Sequence, residues 1–296
     1  MIYDIRLRIG TDYPGTVGEA QHVLRIRPRG DFGQRVEALA LAVDPRAERS
    51  EATSDFFGND VERLRLRRPH RRLAVEMRAR VTVEREAPSF ADTPPLAAAI
   101  ATAETSRDLS SLAPAHFRGE SRAVDLVAEV ADYARPSFAD DGPSGPACLD
   151  LARRIQQDFR YEEGFTDTGT DVATAFSARR GVCQDFAHVM IAGLRGLGLP
   201  ACYVSGYLKT DPPPGQPRLE GVDAMHAWVM AWLGPETGWL GFDPTNGIVA
   251  GDGHIVAAIG RDYADVAPIA GVVTTAGSQY SWHAVDVIPL DETHTS

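Results

Sequence analysis

Three residue types that together perform acyl transfer occur in workable order along this chain. Cys183 lies in Arg179-Arg180-Gly181-Val182-Cys183-Gln184-Asp185-Phe186-Ala187-His188, where a glycine turn runs into an apolar helix. His226 follows in Met225-His226-Ala227-Trp228, and Asp243 in Phe242-Asp243-Pro244-Thr245. A thiol attacks a carbonyl as its thiolate, a form favoured by a helix N-terminus or a neighbouring imidazolium. The unpaired N–H groups of the same first turn can hold a developing oxyanion, the N–H of Cys183 being the first candidate. A histidine can take and return the proton, while an aspartate holds one imidazole nitrogen and leaves the other for the thiol. Taken singly, each residue has a plainer role as a small buried cysteine, a packed histidine or a turn aspartate before proline. Taken together they predict a cysteine enzyme with Cys183 as nucleophile, His226 as base and Asp243 as orienter.

The other reactive side chains are expected to stand outside the chemistry. His188 lies five residues beyond Cys183 on one helix, rotated well away from it, and reads as core or support. Asp185 reads as a first-turn acid that complements the helix dipole. Cys148 falls on an apolar helix face and Cys202 in an apolar strand, neither with a base nearby in sequence. His254, His283 and His294 have no ligand spacing among themselves, so no metal site is expected, and the thiol mechanism needs no cofactor.

Several elements must position these residues. Up to about residue 86 the chain reads as strands, most clearly where Leu73, Val75, Met77, Ala79, Val81 and Val83 alternate with polar or small residues. Strict period two means a strand buried on one face, and the set predicts an antiparallel sheet or small sandwich. The basic run over 63–72 reads as a hairpin with a solvated face. Pro88, Pro94, Pro95 and Pro114 then punctuate a connecting stretch with one short helix near 96–103. Helical spacing follows over 124–133 and again after Pro146, where Cys148, Leu151, Ala152, Ile155 and Phe159 recur. Asp171 should cap a helix through Ala178, with Gly181 ending it. The central helix should start near Cys183 and stop at Gly198-Leu199-Pro200. Strands are expected over 202–208, 225–232, 239–242 and 280–288. The short loop at 234–238 makes the second and third a hairpin, bringing Asp243 diagonally across from His226. The stiff loop Asp211-Pro212-Pro213-Pro214-Gly215-Gln216-Pro217 suits a substrate rim. Helices followed by strands give an α+β fold. The expected division is an N-terminal antiparallel β-domain over 1–88 and a catalytic domain over 89–296, its core at about 145–250.

Four blocks of this sequence resemble the transglutaminase-like superfamily. They are the Gly181-to-His188 run, Gly198-Leu199-Pro200-Ala201-Cys202-Tyr203-Val204-Ser205-Gly206-Tyr207, His226-Ala227-Trp228 and Asp243-Pro244-Thr245-Asn246. The resemblance is to the bacterial branch with an N-terminal β-domain. It implies a papain-like fold, Cys183, His226 and Asp243 as the triad, and amide bonds made or broken through a thioester. It also points to Tyr161 as an aromatic near the cleft. Calcium loops of the crosslinking members find no match here. Protease- or amidase-like hydrolysis is therefore expected ahead of crosslinking. The alternative is a binding or scaffold protein on a degenerate version of the fold.

Composition narrows the partners. A formal charge of −11 over 296 residues argues against nucleic acid or anionic membrane, and the resemblance implies a peptide or protein substrate. Hydrophobic residues make up 44%, enough for a sizeable core. Lys209 is the single lysine, so self-crosslinking would find few acceptors. Three cysteines give no disulfide framework, and Met1-Ile2-Tyr3-Asp4-Ile5-Arg6 lacks a signal-peptide core, so a reducing cytoplasmic setting is expected.

Overall fold

The computed structural model describes residues 1–85, 92–210, 224–275 and 277–290. The expected rim loop at 211–217 and His294 lie outside the described residues. The first strands are β1 (Ile2–Val17), β2 (Ala20–Leu24), β3 (Gln34–Asp44), β4 (Arg49–Ser54), β5 (Asp60–Leu66) and β6 (His70–Val83). Next come helices α1 (Leu96–Thr105), α2 (Ala128–Ala134) and α3 (Ser144–Asp158), strand β7 (Arg160–Tyr161), α4 (Val172–Ala178), β8 (Arg180–Gly181) and α5 (Cys183–Gly196). The chain closes with β9 (Ala201–Leu208), β10 (Ala224–Trp232), β11 (Trp239–Asp243), β12 (Ile248–Val249), β13 (His254–Gly260), α6 (Tyr263–Val266), β14 (Ile269–Val273) and β15 (Tyr280–Leu290). This is an α+β fold in which a helix-packed antiparallel sheet is joined to an antiparallel β-sandwich.

Strand alternation builds the sandwich. One sheet runs β15-β1-β6-β3 and the other β14-β2-β5-β4. Ile5, Leu7, Leu73, Val75 and Met77 point into the shared core, while the interleaved arginines and acids stay outside. The alternation over 60–83 is real, but the hairpin expected there is not. β5 pairs with β2 and β4, and β6 with β1 and β3, so the basic segment crosses between sheets. Strand pairing also runs across the division expected at residue 88. β14 joins β2, and β15 pairs with β1 over its length, from Ile2↔Leu290 to Asp12↔Tyr280. The chain's late strands thus complete the sheets that its first residues begin.

The core sheet is antiparallel in the order β12-β11-β10-β9-β13. Its helix-facing side chains, including Ala227, Val229, Ala231 and Tyr203, pack with α3 and α5. The opposite face buries Cys202, Val204, Trp228 and Met230. Tyr207, Ile255 and Ala257 instead enter the sandwich core, so β9 and β13 belong to both hydrophobic layers. β13 is an edge strand, and two buried amides from the sandwich cover its exposed polar groups. Gln34 accepts from Val256 N–H at 2.9 Å and donates to Val256 O at 2.8 Å. Asn59 does the same at Ile259, at 2.8 Å in both directions. An uncovered buried edge would leave backbone groups unsatisfied.

Local signals explain the helix ends. Asp171 caps α4 by accepting from Thr174 N–H at 2.7 Å. The helix runs through Ala178 as expected, but the residue that ends it is Arg179, in the left-handed conformation at φ 52°, rather than Gly181. Its guanidinium lies 4.1 Å from the Phe176 ring centroid and also covers Tyr133 and Phe159, an aromatic bed that holds this unusual backbone. The helical pattern expected over 124–133 becomes helix only from Ala128, because a bridge between Ser121 and Val124 keeps the preceding turn extended.

Candidate active site

Cys183 is the first residue of α5, which is buried along nearly its whole length. The start of this helix is fixed by Asp185, whose carboxylate accepts from Val182 N–H at 2.7 Å and from Thr166 Oγ1 at 2.6 Å. Gly181 allows this closure, since a Cβ there would overlap the Asp185 carboxylate. Asp185 therefore acts as the expected first-turn acid. Burial pushes its carboxyl up, against the hydrogen bonds that pull it down.

His226 sits near the start of β10 opposite Gly206, and Asp243 ends β11. The register Val229↔Phe242 carried one step on puts Asp243 opposite Trp228, two positions from His226, the diagonal placement that the sequence predicts. His226 Nε2 lies 2.8 Å from Asp243 Oδ2. Nδ1 is the nitrogen left free to face Cys183 across the cleft. Burial alone disfavours a charged ring here, but the interactions with Asp243 and Cys183 outweigh it and raise His226 to about 10. Burial likewise opposes ionisation of Asp243, yet its hydrogen bonds to His226 and His254 hold the carboxyl far below the usual range. Both directions describe one thing, a buried imidazolium–carboxylate pair.

A fourth residue joins them that sequence spacing missed. His254, at the start of β13, places Nε2 3.1 Å from Asp243 Oδ2. Its Nδ1 accepts from Gly251 N–H at 3.2 Å, so the proton resides on Nε2 and is donated to the carboxylate. Asp243 further accepts from Asn246 Nδ2 at 2.6 Å, Thr245 N–H at 2.9 Å and Asn246 N–H at 3.1 Å. Burial lowers His254 and keeps the ring neutral against the pull of Asp243. The sequence contained one usable signal: His254 heads an apolar strand shortly after Asp243. Spacing among histidines alone could not expose it, because its partner is an aspartate.

Ligand atoms of His226, Asp243 and His254 all lie within 4.8 Å of one another, the one such group among the described residues. The donor chemistry does not suit a metal. Both imidazole Nε2 atoms carry protons aimed at the same carboxylate oxygen, so the atoms satisfy each other. Beneath them Trp228 stacks on His226 at 6.2 Å and meets His254 edge-on at 5.2 Å.

Cys183 and His226 line a cleft of about 270 Å³. Its floor includes Gln184, Tyr203, Ser205 and Ala227, and Ile9 and His283 of the sandwich contribute to another wall. Two residues set aside in the sequence remain outside the His226–Asp243 pair. His188 is buried in the core, accepts from Tyr263 N–H at 3.2 Å and is lowered by burial to about 4. His283 reaches the cleft but joins none of the hydrogen bonds of the His226–Asp243 pair. Tyr161 pairs in register with Gly181 beside the Cys183 turn and is half exposed, packed edge-on to Phe186.

This constellation predicts selective alkylation. Iodoacetamide should label Cys183, which is partly exposed, while Cys148 and Cys202, fully buried, stay unmodified until unfolding. Burial pushes Cys202 up to about 12 and Cys148 higher still. Peptide mapping by mass spectrometry checks this; equal labelling of all three thiols would contradict it.

A helix-start cysteine facing a histidine–aspartate pair on a helix-packed antiparallel sheet places the chain in the papain-like class of folds. Within that class the chain belongs to the transglutaminase-like superfamily. The family model for the bacterial transglutaminase-like N-terminal region matches residues 3–82, and that for the transglutaminase-like superfamily matches residues 131–244. An uncharacterized protein of Mycobacterium tuberculosis is 38% identical over 270 residues, covering 90% of this chain and 86% of that protein. A protein-glutamine gamma-glutamyltransferase of Pseudomonas aeruginosa is 34% identical over 135 residues, 45% of this chain and 19% of that protein. A candidate cysteine protease of Cytophaga hutchinsonii shares the fold at a TM-score of 0.77 and 23% identity, covering 100% of this chain and 92% of that one. Among the described residues no helix is long and apolar enough to cross a membrane.

Proposed function

We propose that this chain is a thiol-dependent amidase or peptidase in which Cys183 is the nucleophile, His226 the acid and base, and Asp243 the orienter. One observation carries the reading: Asp243 holds His226 at 2.8 Å, and this buried pair shares a cleft with a cysteine at a helix start. The sulfur adds to the amide carbonyl, forming a C–S bond and an oxyanion. Collapse breaks the C–N bond, and the departing amine takes the proton of His226. Water then attacks the thioester with His226 as base, releasing the acid and restoring the thiol. His254 supports this from behind by fixing the lone pairs of Asp243.

Hydrolysis is our preferred outcome over transfer to an amine. Crosslinking requires a water-excluding passage for a lysine side chain. Trp228 and Trp232, the aromatic side chains best placed along β10 to line one, are buried in packing. Transfer stays the second reading because of the name borne by the Pseudomonas relative. The substrate is read as a peptide or protein and the setting as cytoplasmic, where free thiols stay reduced. A glutamine-bearing peptide supplied with excess primary amine tests the preference. Free acid and ammonia should dominate; dominant amine incorporation without added calcium would replace the hydrolase with an acyltransferase.

A further inference from the structure

We infer that the hydroxyl of Tyr203 is a second oxyanion donor of this site, acting beside the backbone N–H of Cys183. The inference rests on the acyl-transfer reading above and adds a catalytic residue to it. Addition of sulfur to a carbonyl creates a negative oxygen that needs preorganised donors in a water-poor place. Cys183 begins α5, so its N–H belongs to the first turn, which has no intrahelical acceptor. One donor rarely suffices for a full negative charge, and of the other donors lining the cleft only Tyr203 and Ser205 lie on the central strand beneath α5.

Tyr203 lies on central strand β9, flanked by β10 and β13, opposite Val229 and Gly260. It alternates with Val204 so that Tyr203 and Ser205 share the face beneath α5, and both line the Cys183 cleft. Its ring is pinned. His188 packs against it at a centroid distance of 5.1 Å, and Tyr263 approaches edge-on at 6.4 Å. The His188 ring is itself held by the backbone N–H of Tyr263 at 3.2 Å.

The hydroxyl suits the task in three ways. The residue as a whole is 2% exposed, so little water reaches the hydroxyl. Burial drives it well above the ordinary tyrosine range, with Cys183 the next contributor, so it keeps its proton and remains a donor at working pH. No hydrogen bond among the described residues engages it, and it opens onto the cleft that Cys183 lines. Tyr263 also borders the cleft, but it sits on the four-residue helix α6 and is only partly buried. A donor on a rigid central strand holds its position better than one on a short rim helix.

Two reagents at the same sulfur separate this role from mere packing. With p-nitrophenyl acetate the thiolate adds to the carbonyl, an oxyanion forms, and p-nitrophenolate leaves with its bonding pair as the acetyl thioester is made. With iodoacetamide the C–S bond forms as the C–I bond breaks and iodide leaves, with no oxyanion. Tyr203→Phe keeps the ring and removes only the hydroxyl. It should slow acetylation of Cys183 by roughly tenfold or more and leave alkylation unchanged; an activated ester needs less help than an amide, for which ~10²–10³-fold is typical. The ratio of the two rates does not depend on the fraction of folded protein. Equal effects on both rates, or none on either, would overturn the assignment, as would the selective loss appearing in Ser205→Ala instead. Wild-type Cys183 that alkylates but never acetylates would instead overturn the acyl-transfer reading itself.

Discussion

Cys183→Ala should abolish amide-bond turnover, with a loss of at least roughly 10⁴-fold, and leave the fold in place. Without sulfur no thioester forms, and a remaining histidine–aspartate pair has nothing to activate but water. The fold should survive because little packing is removed. Cys183 is only partly buried, and its helix start is held by Asp185, Val182 and Thr166 rather than by the thiol. Circular dichroism and thermal unfolding should overlay the wild type, and the thioester adduct seen by mass spectrometry should vanish. A Cys183→Ala protein with wild-type turnover would end the enzymatic reading and leave the scaffold alternative standing.

The second large effect falls on the base. His226→Ala should lower turnover by about 10²–10⁴-fold, and Asp243→Ala should lower it less. The aspartate change carries a second cost. Asp243 accepts from both histidines, from Asn246 Nδ2 and from two backbone N–H groups, so its loss leaves buried donors without partners. Asp243→Ala should therefore reduce stability more than His226→Ala while affecting catalysis less. The opposite ranking in both assays, or damage by His188→Ala with a silent His226→Ala, would reassign the base.

The same pair sets a pH signature. His226 is raised from 6.5 to about 10, so its contribution to stability is complete below pH 6.5 and fades as pH climbs toward 10. Asp243 is lowered from 3.8, so its contribution is complete above that value and fades as pH falls below it. The pair should stabilise the fold most between about pH 4 and 6.5, the interval in which both contributions are whole. Turnover should decline as pH passes through 10, where His226 no longer carries a proton for the leaving amine. Chemical denaturation across pH, wild type against His226→Ala, reads the first; amide turnover across pH reads the second.

Much of this was legible in the chain. Period two in β6 and helical spacing in α3 reflect one-sided burial, a local consequence of facing a core. The hairpin of β10 and β11 was readable because five loop residues force the two strands together, which carried Asp243 toward His226. The start of α5 was readable from a glycine before a run of apolar residues. Each signal lies within a few residues of the feature that it encodes.

The sequence by itself determined the three residues that meet and the α+β order of the elements. Tertiary structure decided what surrounds them. His254 meets Asp243 only because β13 folds back along β9, on the opposite edge of the sheet from β11 and β12. Tyr203 acquires its place beneath Cys183 from the packing of α5 on the sheet. The late strands β14 and β15 complete the sandwich begun by β2 and β1, and the basic segment at 63–72 crosses between sheets instead of turning back. Residues hundreds of positions apart become neighbours there through hydrogen-bond partners on other strands. Alternation states that a strand has a buried face, but it carries no information about which strand will cover its edge.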